Sequence, residues 1–316
     1  MSQIIYIGVD LGGTSVKTGI CDQEGNLLQT LEGPTEADAG TERVIDNIAK
    51  YARQIVDQSD YSWEQVAGIG TGIPGFMDVE EGFMHLSPNL PLTNVPLKRI
   101  LQEKLGKPIY MGNDANVAAL GEAWSGAAKG VPISVLYTLG TGVGGGIIIN
   151  GDILIGSTGM GGELGHMAVV PDLEAIQCGC GQLGCLETVS SATGIIRMAK
   201  DAVARGDRTM LSDVANIMAK DVFDAARAGD ETALRIVNRA AYYLGKSMAT
   251  LAVVINPNRF VLGGGVSKAG ELLIQPVKEV FAKYAPPKAQ EGVDIVVAKL
   301  GNDAGMIGAA GLCLGR

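Results

Sequence analysis

Three cysteines stand close together in the segment Cys178-Gly-Cys180-Gly-Gln-Leu-Gly-Cys185. Gly179, Gly181 and Gly184 permit the sharp turns that several ligands on one ion require. A structural zinc takes four nitrogen or sulfur ligands, and this segment supplies three. The chain has 2 histidines, His85 and His166, so candidates for the fourth ligand are few. His166, twelve residues before Cys178, fits best. A reduced thiol cluster without metal is the competing reading. A nucleic-acid zinc ribbon would need a second cysteine pair. Cys21 and Cys313 lie in apolar runs and read as core residues.

Two glycine turns carry a second kind of chemistry. The first is Asp10-Leu11-Gly12-Gly13-Thr14, and the second runs from Gly140-Thr141-Gly142 to Gly146. The second matches G-x-G-x-x-G literally, but a dinucleotide site needs a helix after the turn. Here the β-branched run Ile147-Ile148-Ile149 and the hairpin signal Asn150-Gly151 follow instead. Gly245-Lys246-Ser247 resembles the end of a Walker A loop, yet Ala240 occupies the position of its first glycine. A tight turn between antiparallel strands presents backbone N–H groups and a threonine hydroxyl, a concavity suited to phosphate oxygens. Two such turns could grip a nucleotide's phosphates. Asp10 could hold a hydrated Mg²⁺ and Lys17 could add a cation. Each turn by itself is equally well an ordinary hairpin.

Elements must position these residues. Apolar, β-branched stretches predict strands at Ile4 to Asp10, Ser15 to Cys21 and Leu27 to Leu31. Val44, Ile45, Ile48, Ala52 and Ile55 recur at helical spacing within Thr41 to Gln58. Strands at Val66 to Gly70 and Pro108 to Met111 and helices at Leu97 to Leu105 and from about Ala115 complete the first part. A strand at Ile133 to Leu139 and a glycine turn then repeat the opening pattern, which suggests an internal duplication. Helices dominate Ala192 to Ile255, the last of them long and buried from Glu231. A strand at Phe260 to Leu262, a helix from about Ala269, a strand at Val293 to Ala298 and a helix from Ala304 follow.

The composition narrows the function classes. The 316 residues suggest two domains, and 47% hydrophobic with 19% charged residues is globular. Glycine is about twice as common as usual, at 45 residues without a collagen period. A net charge of −9 argues against a duplex nucleic-acid partner. No apolar run reaches the ~18–20 residues of a membrane span. The N-terminal residues lack a signal-peptide pattern, so the expected location is cytoplasmic, without structural disulfides.

Read in order, Asp10-Leu-Gly-Gly-Thr14-x-x-Lys17, Gly112-Asn113-Asp114-Ala115-Asn116, Leu139-Gly-Thr-Gly-Val-Gly-Gly-Gly146, Glu163-Leu-Gly-His166 and Cys178-Gly-Cys180-Gly-Gln-Leu-Gly-Cys185-Leu-Glu187 form one set. This set resembles the ROK family of bacterial sugar kinases and repressors, within the actin/hexokinase/Hsp70-like ATPase superfamily. The resemblance covers nearly the whole chain, and the cysteine element with Glu163-x-x-His166 is its most specific part. It implies an α/β fold of the actin-like ATPase (ribonuclease H-like) class, with two domains, an active-site cleft between them and a zinc-binding loop. The expected small N-terminal domain is 1–117, with the helix 302–316 packing back on it. The expected large domain is 118–301.

The resemblance also implies roles. Phosphoryl transfer needs a carboxylate to orient the acceptor hydroxyl and take its proton. Asp114, where a helix begins, is the candidate. By itself it reads equally as a helix N-cap, and the two roles are compatible. Asn113, Glu163, His166 and Glu187 match family positions that contact the sugar, and Gly75 and Asn89 fit more loosely. His166 could bind zinc through one nitrogen and sugar through the other. The zinc would order the sugar pocket. Asp10, Gly12, Gly13, Thr14, Lys17, Gly140, Thr141 and Gly142 would hold the phosphates of Mg·ATP. Gly263-Gly264-Gly265 resembles the adenosine-binding turn. Close strand–helix packing is the alternative for these three. The implied activity is transfer of the γ-phosphoryl group to a hexose, with glucose and its 6-hydroxyl expected. The segment Glu187 to Gly194 resembles the glucokinase branch. Alternatives are a kinase for N-acetylmannosamine, fructose or allose, or a sugar-sensing regulator. The family suggests a homodimer, with no nucleic-acid or membrane partner.

Overall fold

The computed structural model describes residues 3–314. The chain divides into two compact units. The first comprises residues 1–132, 146–162 and 299–316, and the second 133–145 and 163–298. The division thus differs from the expected domain boundary at 117.

The first unit opens with the antiparallel strands β1 (Ile5–Leu11), β2 (Ser15–Cys21) and β3 (Leu27–Pro34). Helix α1 (Thr41–Asp57) leads to β4 (Val66–Ile73), which runs parallel to β1. A small antiparallel sheet of β5 (Phe76–Asp78), β6 (Phe83–Leu86) and β7 (Thr93–Val95) follows. Its strands are too short to show an alternating pattern, and sequence reasoning did not find them. Helix α2 (Leu97–Leu105), strand β8 (Ile109–Asn113) and helix α3 (Asp114–Trp124) complete this run. The main sheet has the order β3-β2-β1-β4-β8.

Strand β1 is buried along its Ile5, Ile7, Val9 and Leu11 face and half-buried on the other, where Tyr6 and Asp10 flank Gly8. Ile5, Ile7, Val9 and Leu11 join Val44, Ile48 and Ile55 of α1 in one core. Gly8 and Asp10 belong to the other face, by the two-residue period of a strand.

Strands β9 (Ile133–Leu139) and β10 (Val143–Ile149) open the second half, and the unit division passes through β10. Strand β11 (Asp152–Ile153) pairs with the far end of β10. The helices α4 (Glu187–Ser190), α5 (Ala192–Ala204), α6 (Ala219–Arg227) and α7 (Glu231–Val254) then occur in succession. Asp230 caps α7 by accepting the Ala233 N–H at 2.9 Å. Strand β12 (Arg259–Gly263), helices α8 (Glu271–Tyr284) and α9 (Pro287–Gln290) and strand β13 (Asp294–Val297) follow. Strand β12 runs parallel to β9 and β13. The order β11-β10-β9-β12-β13 repeats that of the first sheet, strand for strand.

The last helix, α10 (Ala304–Gly311), returns to the first unit and covers the Gly8 face of its sheet. The approach is backbone to backbone. A Cβ on Gly8 would stand 1.8 Å from the Met306 carbonyl oxygen, and one on Gly70 1.7 Å from that of Ala309. Helix α3 crosses α10 in the same way: a Cβ on Gly308 would meet the Val117 carbonyl oxygen at 1.5 Å, and one on Gly121 that of Ala304 at 2.4 Å. This crossing keeps the whole of α3 with α10 in the first unit. Among the described residues, no helix is long and apolar enough to cross a membrane.

Candidate active site

Within the first unit, Asp10 sits near the end of β1, opposite Lys17 in the β1–β2 register. Helix α10 meets it closely: a Cβ on Gly305 would lie 2.6 Å from Asp10 Oδ2. Burial pushes the Asp10 carboxyl up to about 6, the negative charge of Asp114 adds to this, and Lys17 opposes it. Burial also holds Asp114 above the usual carboxylate range, against the backbone N–H donors of Ala115 and of Asp114 itself. Two half-buried carboxylates therefore lie in one site, where Lys17 is a counter-charge to Asp10.

The cap of α3 is Asn113. Its side chain accepts from the N–H groups of Ala115 at 2.9 Å and Asn116 at 3.3 Å. This removes the competing assignment of Asp114 as the N-cap. Asp114 Oδ1 accepts the Ala115 N–H at 2.9 Å. Gly75, at φ 129°, shares a small cavity with Asn113 and Asn116. Its backbone has no room for a side chain, since a Cβ would come 2.3 Å from the Leu86 carbonyl oxygen.

The turn between β1 and β2 closes through the Gly12 N–H, which donates to the Ser15 carbonyl at 2.9 Å. Thr14 is exposed at its tip. Asn89 lies beside this turn, its carbonyl 3.4 Å from where a Gly13 Cβ would be.

In the second unit, the turn between β9 and β10 is closed by the Gly140 N–H donating to the Gly142 carbonyl at 3.0 Å. Glu187, at the start of α4, supports it. Its Oε2 accepts the Val143 N–H at 2.9 Å, and a Cβ on Gly142 would strike that oxygen at 2.2 Å. The turn also borders a cleft of about 500 Å³ lined by Ile196, Met218, Phe223, Lys268 and Gly265. The three glycines after β12 divide by task. Gly263 packs toward Ala298 and Gly264 toward Leu139, whereas Gly265 faces open space at the cleft. Sequence reasoning missed the apolar wall from α5 and α6. The adjacent apolar pairs Ile195-Ile196 and Val222-Phe223 carried the signal for it.

The four expected metal ligands come together. One ligand atom each from His166, Cys178, Cys180 and Cys185 lies within 4.8 Å of the others. Cys178 Sγ is 3.8 Å from His166 Nδ1, and Cys180 Sγ is 3.7 Å from Cys185 Sγ. Ligands at zinc bond lengths on a tetrahedron stand ~3.5–3.8 Å apart, so this donor set fits the ion. Local geometry explains the convergence. The Gly181 N–H closes a turn onto the Cys178 carbonyl at 2.9 Å, and Gly181 and Gly184 take φ 91° and 74°. His166 ends a short turn after Glu163, and Gly165 is pressed so closely on Val143 that a Cβ would sit 1.9 Å from its carbonyl oxygen. Glu187 Oε1 accepts from the Cys178 thiol at 3.5 Å. Glu187 thus joins the cysteine cluster to the β9–β10 turn.

A family model described as the ROK family matches residues 6–316. The chain belongs to the ROK family. One relative, a glucokinase of Halalkalibacterium halodurans, is 45% identical over 98% of this chain and 94% of its own. The crystal structure of a ROK hexokinase from Thermus thermophilus matches with a TM-score of 0.85 at 35% identity, over 98% of this chain and 97% of that one. A ROK glucokinase from Streptomyces griseus, in complex with glucose and AMPPNP, matches with a TM-score of 0.77 at 34% identity, over 97% and 98%.

Proposed function

We infer that this chain is an ATP-dependent hexose kinase and that its acceptor is the 6-hydroxyl of glucose. The end-to-end likeness to a glucokinase carries this reading. The half-buried carboxylates Asp10 and Asp114, the two glycine turns and the cleft beside the second turn support it.

In this reading Asp114 is the general base. The N–H of Ala115 holds its Oδ1, and its other oxygen takes the proton of the attacking hydroxyl. A base should remain ionised near neutral pH while gaining basicity from burial, and a raised but opposed carboxylate meets both demands. Asn113 spends its side-chain oxygen on the helix cap and offers its amide N–H groups to the sugar. Glu163, His166, Glu187, Gly75 and Asn89 are the further sugar positions. His166 turns Nδ1 to the thiols, which assigns Nε2 to the sugar. Gly12, Gly13, Thr14, Lys17, Gly140, Thr141 and Gly142 bind phosphate oxygens. Gly263, Gly264 and Gly265 shape the nucleoside side, with Gly265 at the cleft. Mg·ATP supplies the phosphoryl group. The negative Asp10–Asp114 site fits a hydrated divalent cation, which Asp10 would hold. His166, Cys178, Cys180 and Cys185 would hold a structural zinc that orders the residues around Glu163 and Glu187.

The test is sugar-dependent ADP release with Mg·ATP across glucose, mannose, fructose, N-acetylglucosamine and N-acetylmannosamine. Preference for glucose is expected. Preference for another sugar would keep the mechanism and replace the substrate. No turnover from folded, zinc-loaded protein would favour a sugar sensor. Asp114→Asn should lower kcat by about 10²–10⁴-fold while glucose binding stays measurable. Near wild-type kcat in that variant would refute the base assignment.

A further inference from the structure

Each glycine turn is held from behind by a threonine outside the motif. In the first unit, Thr35 follows β3 and is fully buried. Its hydroxyl donates to the Gly12 carbonyl at 2.6 Å, and its N–H donates to the Thr14 carbonyl at 3.0 Å. In the second unit, the Thr193 hydroxyl donates to the Thr141 carbonyl at 2.7 Å, and the neighbouring Ala192 N–H donates to the Gly140 carbonyl at 2.8 Å. The same pair of donors, one hydroxyl and one backbone N–H, therefore serves the same two-carbonyl task in both repeats.

Peptide planarity gives this a consequence. In a trans peptide the C=O of one residue and the N–H of the next point in opposite directions. Holding the Gly12 carbonyl toward Thr35 aims the Gly13 N–H away from it. Holding the Gly140 and Thr141 carbonyls toward the start of α5 aims the N–H groups of Thr141 and Gly142 away from that helix. Fixed N–H groups on a turn form a concavity for anions. Glycine-rich turns flip between peptide orientations readily, because glycine tolerates both signs of φ. The threonine anchors remove that freedom before a ligand arrives, and preorganisation of this kind lowers the cost of binding.

Both anchors are themselves fixed. Asn47 of α1 is buried, and its amide nitrogen lies 3.2 Å from the Thr35 carbonyl and 2.9 Å from Glu36 Oε2. Thr193 also contacts the Ser191 hydroxyl at 3.0 Å, and Ser191 caps α5 through the Gly194 N–H at 2.9 Å.

We propose that Thr35 and Thr193 are positioning residues that aim the turn amides at the nucleotide phosphates. This rests on the kinase reading given above. The experiment compares Thr35→Val, Thr35→Ser, Thr193→Val and Thr193→Ser with the wild-type chain by steady-state kinetics, calorimetric ADP binding and thermal melting. Each valine variant should raise the KM for ATP and weaken ADP binding by about five- to tenfold, the worth of one hydrogen bond, with the KM for glucose unchanged. The serine variants restore the hydroxyl and should return both values toward wild type. An unchanged KM for ATP, or equal rises in both KM values, would overturn the proposal and leave the kinase reading standing. If Thr35→Val does not fold, the exposed Thr193 carries the comparison. A wild-type chain that neither turns over glucose nor binds ADP would overturn the kinase reading, and the proposal with it.

Discussion

Asp10 is half-buried and feels the negative charge of Asp114, and this has a thermodynamic signature. Burial lifts the Asp10 carboxyl out of the ordinary carboxylate range to about 6 in the fold. The folded state therefore binds this proton more tightly than the unfolded chain does. As pH rises from about 4 through 6, that advantage is withdrawn, and the nucleotide-free protein loses on the order of 2–3 kcal/mol from this group. Asp10→Asn removes the buried charge. It should melt several degrees above the wild-type chain at pH 7.5 without ligands, and the gain should shrink toward pH 4. A melting point at or below wild type at pH 7.5 would show that burial does not dominate this carboxylate. Activity should fall in the same variant, the usual conflict between a strained site and stability. Much of this residue scale was legible in the sequence, because Asp10, Asp114 and the Cys178–Cys185 segment carry their chemistry in side-chain type and spacing. Thr35, Thr193 and the capping role of Asn113 were not. A lone threonine in a loop has no periodic signal, and only coordinates show which carbonyl its hydroxyl reaches.

The cysteine loop is the element whose order depends most on something beyond its own contacts. Its thiols show why. Burial pushes Cys178 up to about 12 and also raises Cys185, whereas the backbone N–H of Gln182 favours the thiolate of the exposed Cys180. Three thiolates beside Glu187 repel one another unless a cation offsets them. Elemental analysis should find one zinc per chain. Strong chelation, or Cys180→Ser, should lower the melting temperature and raise the KM for glucose more than it lowers kcat. An active chain with no metal at this cluster would refute the assignment. Among the other elements, β-branched runs such as Ile4 to Asp10 and the helical spacing of Val44, Ile48, Ala52 and Ile55 were legible, because burial imposes those periods. The strands β5 to β7 were not. With three or four residues each, they leave too little alternation to separate from a loop.

At the scale of the whole chain, the two sheets repeat one strand order, and the paired turns around residues 12 and 141 were the sequence trace of it. The placement of α10 left a weaker trace, since Gly305, Gly308 and Gly311 read as small residues in an apolar helix until their neighbours are known. Gly308→Ala tests that crossing. Its new Cβ would need the space of the Val117 carbonyl oxygen, so the variant should lose stability at or above the upper end of the ~1–3 kcal/mol range for overpacking. Wild-type melting would show that the two helices separate easily. The same helix sets an order of events during synthesis. Met306, the partner of Gly8, is added almost three hundred residues after it. At ~5–20 residues per second, the first sheet waits about 15 s to 1 min with its Gly8 face uncovered. The sheet that β1 begins is thus closed on its Gly8 face only by a helix made almost three hundred residues after it.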